Sequence, residues 1–467
     1  MNLKETLNNK IFKAGSWYTI SNFFVKGINF LTIPIFTRIL TTDDYGVVSL
    51  YNSWVAIFII IIGLSLNESI RRGKYDYENE YDEFVSSITG LSFLIFGVYI
   101  VIFALFNNVI TQLTGLNKYL FSLMIVQSFF AFINELTATK LRFEYKYKTI
   151  SLINIINSLI GVAFSIFLIT SIFDETRYLG KIVGTATPII LLGMVFSVYL
   201  IKKGQTIINF GYWKYAITLS IPLVFHGLSS VANSQFDRII ISKYFGDSAT
   251  GIYSFAYNIG IIISVVAISL EQAWLPWFFQ KFKEGKYESI KNRALIYRNA
   301  FVFIYISVLM VSTELVKFMA NESYWSGLEI LPWIFMAYYF QFMYAFEVNV
   351  EYALKKTVLI PIGTVLSAIV NVVLNIIFIP RYGYVAAAIT TAISYFLMFL
   401  FHFLMTTQVL KQNIYGLKFH LQSVLYLMIS TFLFIVFKDF LILRVFVMII
   451  AALLLYKSFK RLMILNN

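Results

Sequence analysis

Apolar runs of about 20 residues, the length that crosses a bilayer as a helix, recur along the chain with short polar breaks between them. They fall at roughly 16–37, 46–67, 84–106, 117–139, 149–171, 179–201, 215–236, 250–271, 296–316, 327–350, 357–379, 383–406, 418–437 and 440–458. The pattern predicts an all-α integral membrane protein of about fourteen spanning helices. Lys438 and Asp439 alone separate the last two runs. One break is especially informative. Asn371 and Asn375 lie in a run ending at Pro380, and Arg381-Tyr382-Gly383 leads into Tyr384-Val385-Ala386-Ala387-Ala388. A proline, a glycine turn and small residues predict a closely packed two-helix hairpin. The asparagines, four apart, share one face and are expected to point away from lipid, toward a polar lumen.

Composition agrees with that pattern. Of 467 residues, 59% are hydrophobic and 13% charged, where a soluble protein carries roughly a quarter charged. The net charge of +13 does not call for nucleic acid, because the basic residues sit in short loops. With the N-terminus inside, 26 of the 37 lysines and arginines fall in cytoplasmic segments and 10 outside, with Lys26 inside the first run. That asymmetry predicts both termini in the cytoplasm. The absence of cysteine excludes disulfides and thiolate metal sites. Three scattered histidines show no ligand spacing; His226 and His402 read as packed, hydrogen-bonded core residues. Residues 1–13 read as a short basic lead without a cleavage site. The short loops leave no room for a soluble catalytic domain, so an enzyme is not expected.

The chain also repeats itself at a spacing of about 200 residues. Arg38-Ile39-Leu40, Tyr45-Gly46, Ser49 and Tyr51-Asn52 are followed in the second half by Arg238-Ile239-Ile240, Gly251-Ile252-Tyr253-Ser254 and Tyr257-Asn258. Leu64-Ser65-Leu66-Asn67-Glu68 is matched by Ile268-Ser269-Leu270-Glu271. Six spans per unit preserve orientation, so the expectation is two parallel six-helix lobes, residues 1–205 and 206–410, plus two further helices in 411–467.

Charged and amide side chains inside the membrane mark candidate sites, because each costs roughly 2.5–3.5 kcal/mol at the bilayer centre. Lys26 shares a face with Asn22 and Asn29 at helical spacing; it is either a point charge for a phosphate or a structural lysine paired to a neighbouring carboxylate. Arg38 and Arg238 end their runs, as headgroup anchors or ligand contacts, with Asp237 beside the latter. Glu68 and Glu271 close two runs at the cytoplasmic side, as gate residues or as solvated ends. Glu135, Glu347 and Glu351 lie toward inner helix ends, where a buried carboxylate can carry a coupling proton or bind Na⁺, or where it is simply solvated at the cytoplasmic surface. No fixed cofactor or metal is expected, and coupling to H⁺, Na⁺ or the membrane potential stays open.

These residues resemble the polysaccharide transporter branch of the multidrug/oligosaccharidyl-lipid/polysaccharide exporter superfamily, the Wzx-type O-antigen and capsule-unit flippases. The resemblance rests on Arg38-Ile39-Leu40 with Tyr45-Gly46, Gly63-Leu64 running into Arg71-Arg72, and Asp237-Arg238. It continues through Gly251-Ile252-Tyr253-Ser254, Ala273-Trp274-Leu275-Pro276-Trp277 and the Asn371/Asn375/Gly383 hairpin, and covers about residues 10–405. It implies a substrate of oligosaccharide repeat units linked through pyrophosphate to undecaprenyl lipid, flipped to the outer leaflet by alternating access. It also implies Lys26 as a pyrophosphate contact, with Arg298 as a second candidate, and polymerase and chain-length proteins as partners. A drug/cation antiporter of the same superfamily is the nearest rival, expected to place acidic groups deep in its lobes. A membrane polymerase or glycosyltransferase is expected to carry a large external loop instead.

Overall fold

A computed structural model describes the backbone of residues 10–466 and the side chains of residues 24–456. It is helical throughout, with no β-strand among the described residues. The helices are α1 (Lys10–Ile39), α2 (Thr42–Gly63), α3 (Leu66–Asp76), α4 (Tyr81–Thr114), α5 (Lys118–Phe143), α6 (Tyr147–Ser171) and α7 (Arg177–Gly204). They continue with α8 (Phe210–Lys283), α9 (Tyr287–Met319), α10 (Leu331–Ala353), α11 (Leu359–Tyr382), α12 (Tyr384–Leu404), α13 (Leu417–Phe437) and α14 (Leu441–Asn466). Ten of these are long and apolar enough to cross a membrane: α2, α4–α9 and α11–α13. The 74-residue α8 is two helices in one, broken at Gly246. The chain divides into two compact units, Met1–Thr250 and Gly251–Asn467.

Local chemistry sets the breaks. Thr41 caps α2: its Oγ1 accepts from Asp44 N at 3.1 Å, and Asp44 Oδ2 accepts from Thr41 N at 3.0 Å, a reciprocal capping box. Gly246 and Gly383 adopt nearly the same backbone conformation, φ 78° and ψ −174° against φ 76° and ψ −169°. That region is essentially closed to residues bearing a Cβ, which explains why both helix junctions fall on glycine.

In the first unit, α4, α5 and the helices around them bury an aromatic core of Tyr51, Phe84, Phe121, Phe129 and Phe132. Phe96 stacks on Phe129 at 4.1 Å, and Tyr51 Oη donates to Gln127 Oε1 at 2.7 Å. The α6–α7 pair packs through small residues: a Cβ on Gly184 would sit 2.4 Å from Ser165 Cα, the close approach typical of membrane helix pairs. At one end of α4, α5 and α7, Lys140 is fully buried and pairs with Asp82 and with Glu144 at 2.6 Å. Lys203 reaches both carboxylates at 3.2 Å. Burial pushes the Glu144 carboxyl up, but hydrogen bonds from Lys140 and Lys146 outweigh it and hold the group down at about 2.

In the second unit, α9 and α10 stack Phe301 on Phe342 at 3.9 Å. Arg444 of α14 is buried and forks onto Glu314 of α9. The chain between α12 and α13 opens with a π-helical turn, Met405–Val409.

Candidate functional site

The chain between α2 and α3 is the least regular part of the first unit. Leu64 (φ 44°, ψ 29°) and Ser65 (φ 52°, ψ 27°) are both left-handed, although neither is glycine. Each such residue costs about 1–2 kcal/mol, and packing must hold the pair in place. Gly63, just before the break, lies under Phe132, where a Cβ would meet the ring at 2.1 Å. After it, α3 turns an apolar face inward through Leu66, Ile70 and Gly73. Its far end is tied to α8 by Tyr215 Oη donating to Asp76 and Tyr212 Oη to Glu80.

A cavity of about 430 Å³ opens beside this break, within the ordinary size range of ligand sites. One wall is apolar, made of Ile59, Ile60, Phe132 and Leu223; the other carries Ser65, Asn67, Glu68, Arg71, Glu135 and His226. The charges are paired. Arg71 holds Glu68 at 3.0 Å, Asn67 Nδ2 donates to Glu68 Oε1 at 3.1 Å, and Arg142 grips Glu135.

One predicted gate carboxylate, Glu68, and one predicted coupling carboxylate, Glu135, therefore line the same cavity. Glu135 is exposed and arginine-paired, which agrees with the solvated one of its two readings and not with a buried proton carrier. Glu271 lies elsewhere, in a small hollow of the second unit with Trp274, Tyr297 and Asn349. His226 is a correction: it is exposed on the cavity wall and not packed in a core. His402 is buried as expected.

Phe36 of α1 and Leu40 just beyond its end pack against Ile169 of α6. Asn29 and Lys26 lie about two and three turns before Phe36, where both side chains are exposed. Lys26 has no ion-pair partner among the described residues. The side chain of Asn22 lies outside the described residues. Arg38 is exposed at the end of α1. Arg238 is buried with Asp237 and donates to Ser234 O of its own helix, so the pair is built into α8.

The remaining predicted contacts serve packing. Asn375 Nδ2 donates to Asn371 Oδ1 at 3.0 Å, Asn371 Nδ2 to Thr391 Oγ1 at 3.4 Å, and Thr390 Oγ1 to Asn375 Oδ1. Both asparagines are buried. They do point away from lipid, but onto α12 and not into a lumen, because the threonines of α12 satisfy them. Arg298 is also buried, donating to Asn299 Oδ1, Phe419 O and Gln422 Oε1; it joins α9 to α13 and is not open to a headgroup.

Sequence reasoning passed over Asn67, Arg71 and Arg142. The two arginines read as topology charges and Asn67 only as part of the internal repeat, whereas Asn67 and Arg71 contact Glu68 and Arg142 contacts Glu135.

Comparison with known proteins fits this architecture. The profile of the family described as "Polysaccharide biosynthesis protein" matches residues 11–282. The "Lsg locus putative protein 1" of Haemophilus influenzae is 24% identical over 59% of this chain and 68% of its own length. The "Probable low-salt glycan biosynthesis flippase Agl15" of Haloferax volcanii is 22% identical over 80% of this chain and 79% of its own. Among solved structures, a "Lipid II flippase MurJ, inward closed conformation" aligns with a TM-score of 0.71 at 17% identity, covering 96% of this chain and 99% of that one. An inward-facing multidrug resistance transporter of the MATE family aligns at 0.58 and 14%, covering 83% and 96%. With these transporter folds, its ten long apolar helices and a family profile spanning more than half its length, this multi-pass membrane chain belongs to the polysaccharide biosynthesis protein family.

Proposed function

We propose that the chain flips oligosaccharide repeat units, linked through pyrophosphate to undecaprenyl lipid, from the cytoplasmic to the outer leaflet of the bacterial plasma membrane. The mode is alternating access and the product feeds O-antigen or capsule assembly, with a polymerase and chain-length proteins as downstream partners. In this reading the chain crosses fourteen times with both termini cytoplasmic. Each arm of α8 crosses once, and α1, α10 and α14 complete the set.

The cavity of the first unit carries this reading. Arg71 and Arg142 each hold a glutamate on its wall, and a pyrophosphate offers guanidinium groups the same bidentate acceptor geometry as a carboxylate. An incoming headgroup can take the arginines from Glu68 and Glu135, which makes those glutamates the placeholders that gate the site. The apolar wall suits the lipid side, and exposed Lys26 adds a cation on α1. The names of the Haloferax relative and of the aligned lipid II flippase point in the same direction.

The test is flipping of a synthetic undecaprenyl-pyrophosphate oligosaccharide by the purified chain in vesicles, read by leaflet-selective labelling. Arg71→Ala with Arg142→Ala, and separately Lys26→Ala, are expected to abolish flipping while the protein still inserts. Flipping at the wild-type rate in the double arginine variant ends the cavity reading.

A drug/cation antiporter remains the second reading, favoured by one observation: Glu347 and Glu351 are fully buried in the second unit and do not lie at a solvated edge. Uptake of a cationic dye that lipid-linked sugar fails to inhibit would select it.

A further inference from the structure

The second unit holds a cluster that the cavity does not use. Glu347 and Glu351 sit one turn apart on α10, 2% and 0% exposed. His402 of α12 places Nδ1 2.8 Å from Glu351 Oε1, and His420 of α13 places Nε2 2.9 Å from Glu347 Oε1. Thr406, in the π-helical turn, donates to Glu347 Oε2. Two of the chain's three histidines thus converge on two carboxylates in one dry core, although they stand on different helices. His402 Nδ1 is hydrogen-bonded to Glu351 Oε1, whereas His420 Nε2 lies at ion-pair distance from Glu347 Oε1 without hydrogen-bond geometry. His402 Nε2, His420 Nδ1, Glu347 Oε1 and Glu351 Oε2 have no hydrogen-bond partner among the described residues.

The charge balance of this cluster depends on protons. A carboxylate and an imidazole together carry −1, 0 or +1 with none, one or two protons, and an uncompensated charge is costly in a dry interior. Among the described residues, the groups facing the cluster supply no fixed counter-charge. Tyr344 and Tyr352 come from α10, Tyr415 from the segment before α13, and Gly363 and Thr364 from α11. Arg298 of α9 is spent on Asn299, Phe419 and Gln422, and Glu271 of α8 adds another acid. Lys355, Lys356 and Lys418 are exposed. One proton per pair is what makes each pair neutral.

The exposed end of α10 is nevertheless close. Glu351 stands two residues before the end of α10 at Ala353, just ahead of exposed Lys355 and Lys356, and Glu347 lies one turn deeper. His402 stands three residues before a π-helical turn that starts at Met405, an irregularity frequent at functional sites. The two pairs form successive stations leading inward from the helix end, and each imidazole keeps a nitrogen for the next transfer.

We propose that Glu351–His402 and Glu347–His420 are a two-station proton site, loaded and emptied as the second unit changes conformation, so that the proton is the coupling ion. This rests on reading the chain as a transporter, but not on the nature of its cargo. Each step moves one proton between an imidazole nitrogen and a carboxylate oxygen, or between either and water, with no other bond made or broken.

Two measurements on the full chain test it. In vesicles flipping the undecaprenyl-pyrophosphate oligosaccharide, the wild-type steady-state leaflet ratio is expected to change about tenfold per pH unit for each proton coupled. Glu351→Gln and Glu347→Gln, which keep volume and hydrogen bonding, are expected to flip with a ratio independent of the pH gradient. A gradient dependence unchanged in both variants overturns the proposal, as does a wild type indifferent to the gradient. Without any lipid-linked sugar, pH-jump difference infrared spectroscopy of the bilayer-embedded chain is expected to give a carboxyl or imidazolium band that the paired glutamine substitutions remove. His402→Gln serves as a second variant should either glutamine form fail to fold. A spectrum indifferent to all of them refutes the proton site even if the cargo is something else; a lost band with no sugar flipping keeps the site and rejects the cargo.

Discussion

The charged knot at the foot of α4, α5 and α7 responds asymmetrically to substitution. The Lys140 side chain is 1% exposed, whereas Asp82 is 38% and Glu144 13% exposed. Removing the lysine leaves two carboxylates that Lys203 still contacts at 3.2 Å, with Lys146 at 2.6 Å from Glu144. Lys140→Met keeps the aliphatic stem in place, so it is expected to cost about 1.5–3 kcal/mol, the scale of hydrogen bonds to a charged group. Asp82→Asn with Glu144→Gln instead strands the ammonium in the interior, at about 3–5 kcal/mol. That is two to nearly four powers of ten in the folded-to-unfolded ratio. Heating detergent extracts of a fluorescent fusion and following the surviving monodisperse peak by size exclusion measures both. A Lys140→Met protein that melts below the double variant would refute the reasoning. The pH dependence follows from Glu144, whose carboxyl is held at about 2 against an ordinary 4.5. A depressed carboxyl stabilises fully above pH 4.5, and that contribution is lost as pH falls through about 2. Glu144→Gln should flatten this acid slope, and an unaltered slope counts against the assignment.

Other substitutions probe packing and the break. Gly184→Leu should abolish stable expression, since even a Cβ overlaps Ser165 Cα, while Gly97→Ala, with nothing within 4 Å, should express normally; equal yields would contradict the seam. Asn375→Leu leaves Asn371 Oδ1 without its donor and is expected to cost about 1–3 kcal/mol in the same melting assay. Leu64→Gly with Ser65→Gly relieves about 1–2 kcal/mol of strain per residue against roughly 0.5–1 kcal/mol each of added chain entropy. That protein should melt no lower than wild type yet flip more slowly, and wild-type flipping would show the break to be incidental.

Helix positions were largely legible in the sequence, because hydropathy summed over twenty residues is a strong signal. Every apolar run falls on a helix, and Lys438-Asp439 does separate α13 from α14. Gly383 was legible for a similar reason, since its backbone conformation admits little else. The α2–α3 break was not, because Leu64 and Ser65 carry no local preference for left-handed geometry and tertiary packing imposes it. The α3 helix was hidden in a stretch read as polar loop, although the spacing of Leu66, Ile70 and Gly73 could have shown its buried face. For Asn371 and Asn375 the sequence told the right face and the wrong neighbour; shunning lipid does not distinguish a lumen from a threonine-bearing helix. The histidine–glutamate pairs were invisible as pairs, since 51 residues separate Glu351 from His402 and α12 brings them together.

The joint at Leu64 and Ser65 has a mechanical consequence. A glycine there would act as slack, letting the two sides swivel independently. Two substituted residues pinned by their surroundings act as a lever instead: neither can swing without dragging Gly73 across the Phe84 ring it touches, and with it the tyrosine ties to Asp76 and Glu80. Displacing Glu68 at one end of this short arm would therefore be felt at Tyr212 and Tyr215 on the other, so occupancy and movement are linked by stiffness and not by a loose hinge.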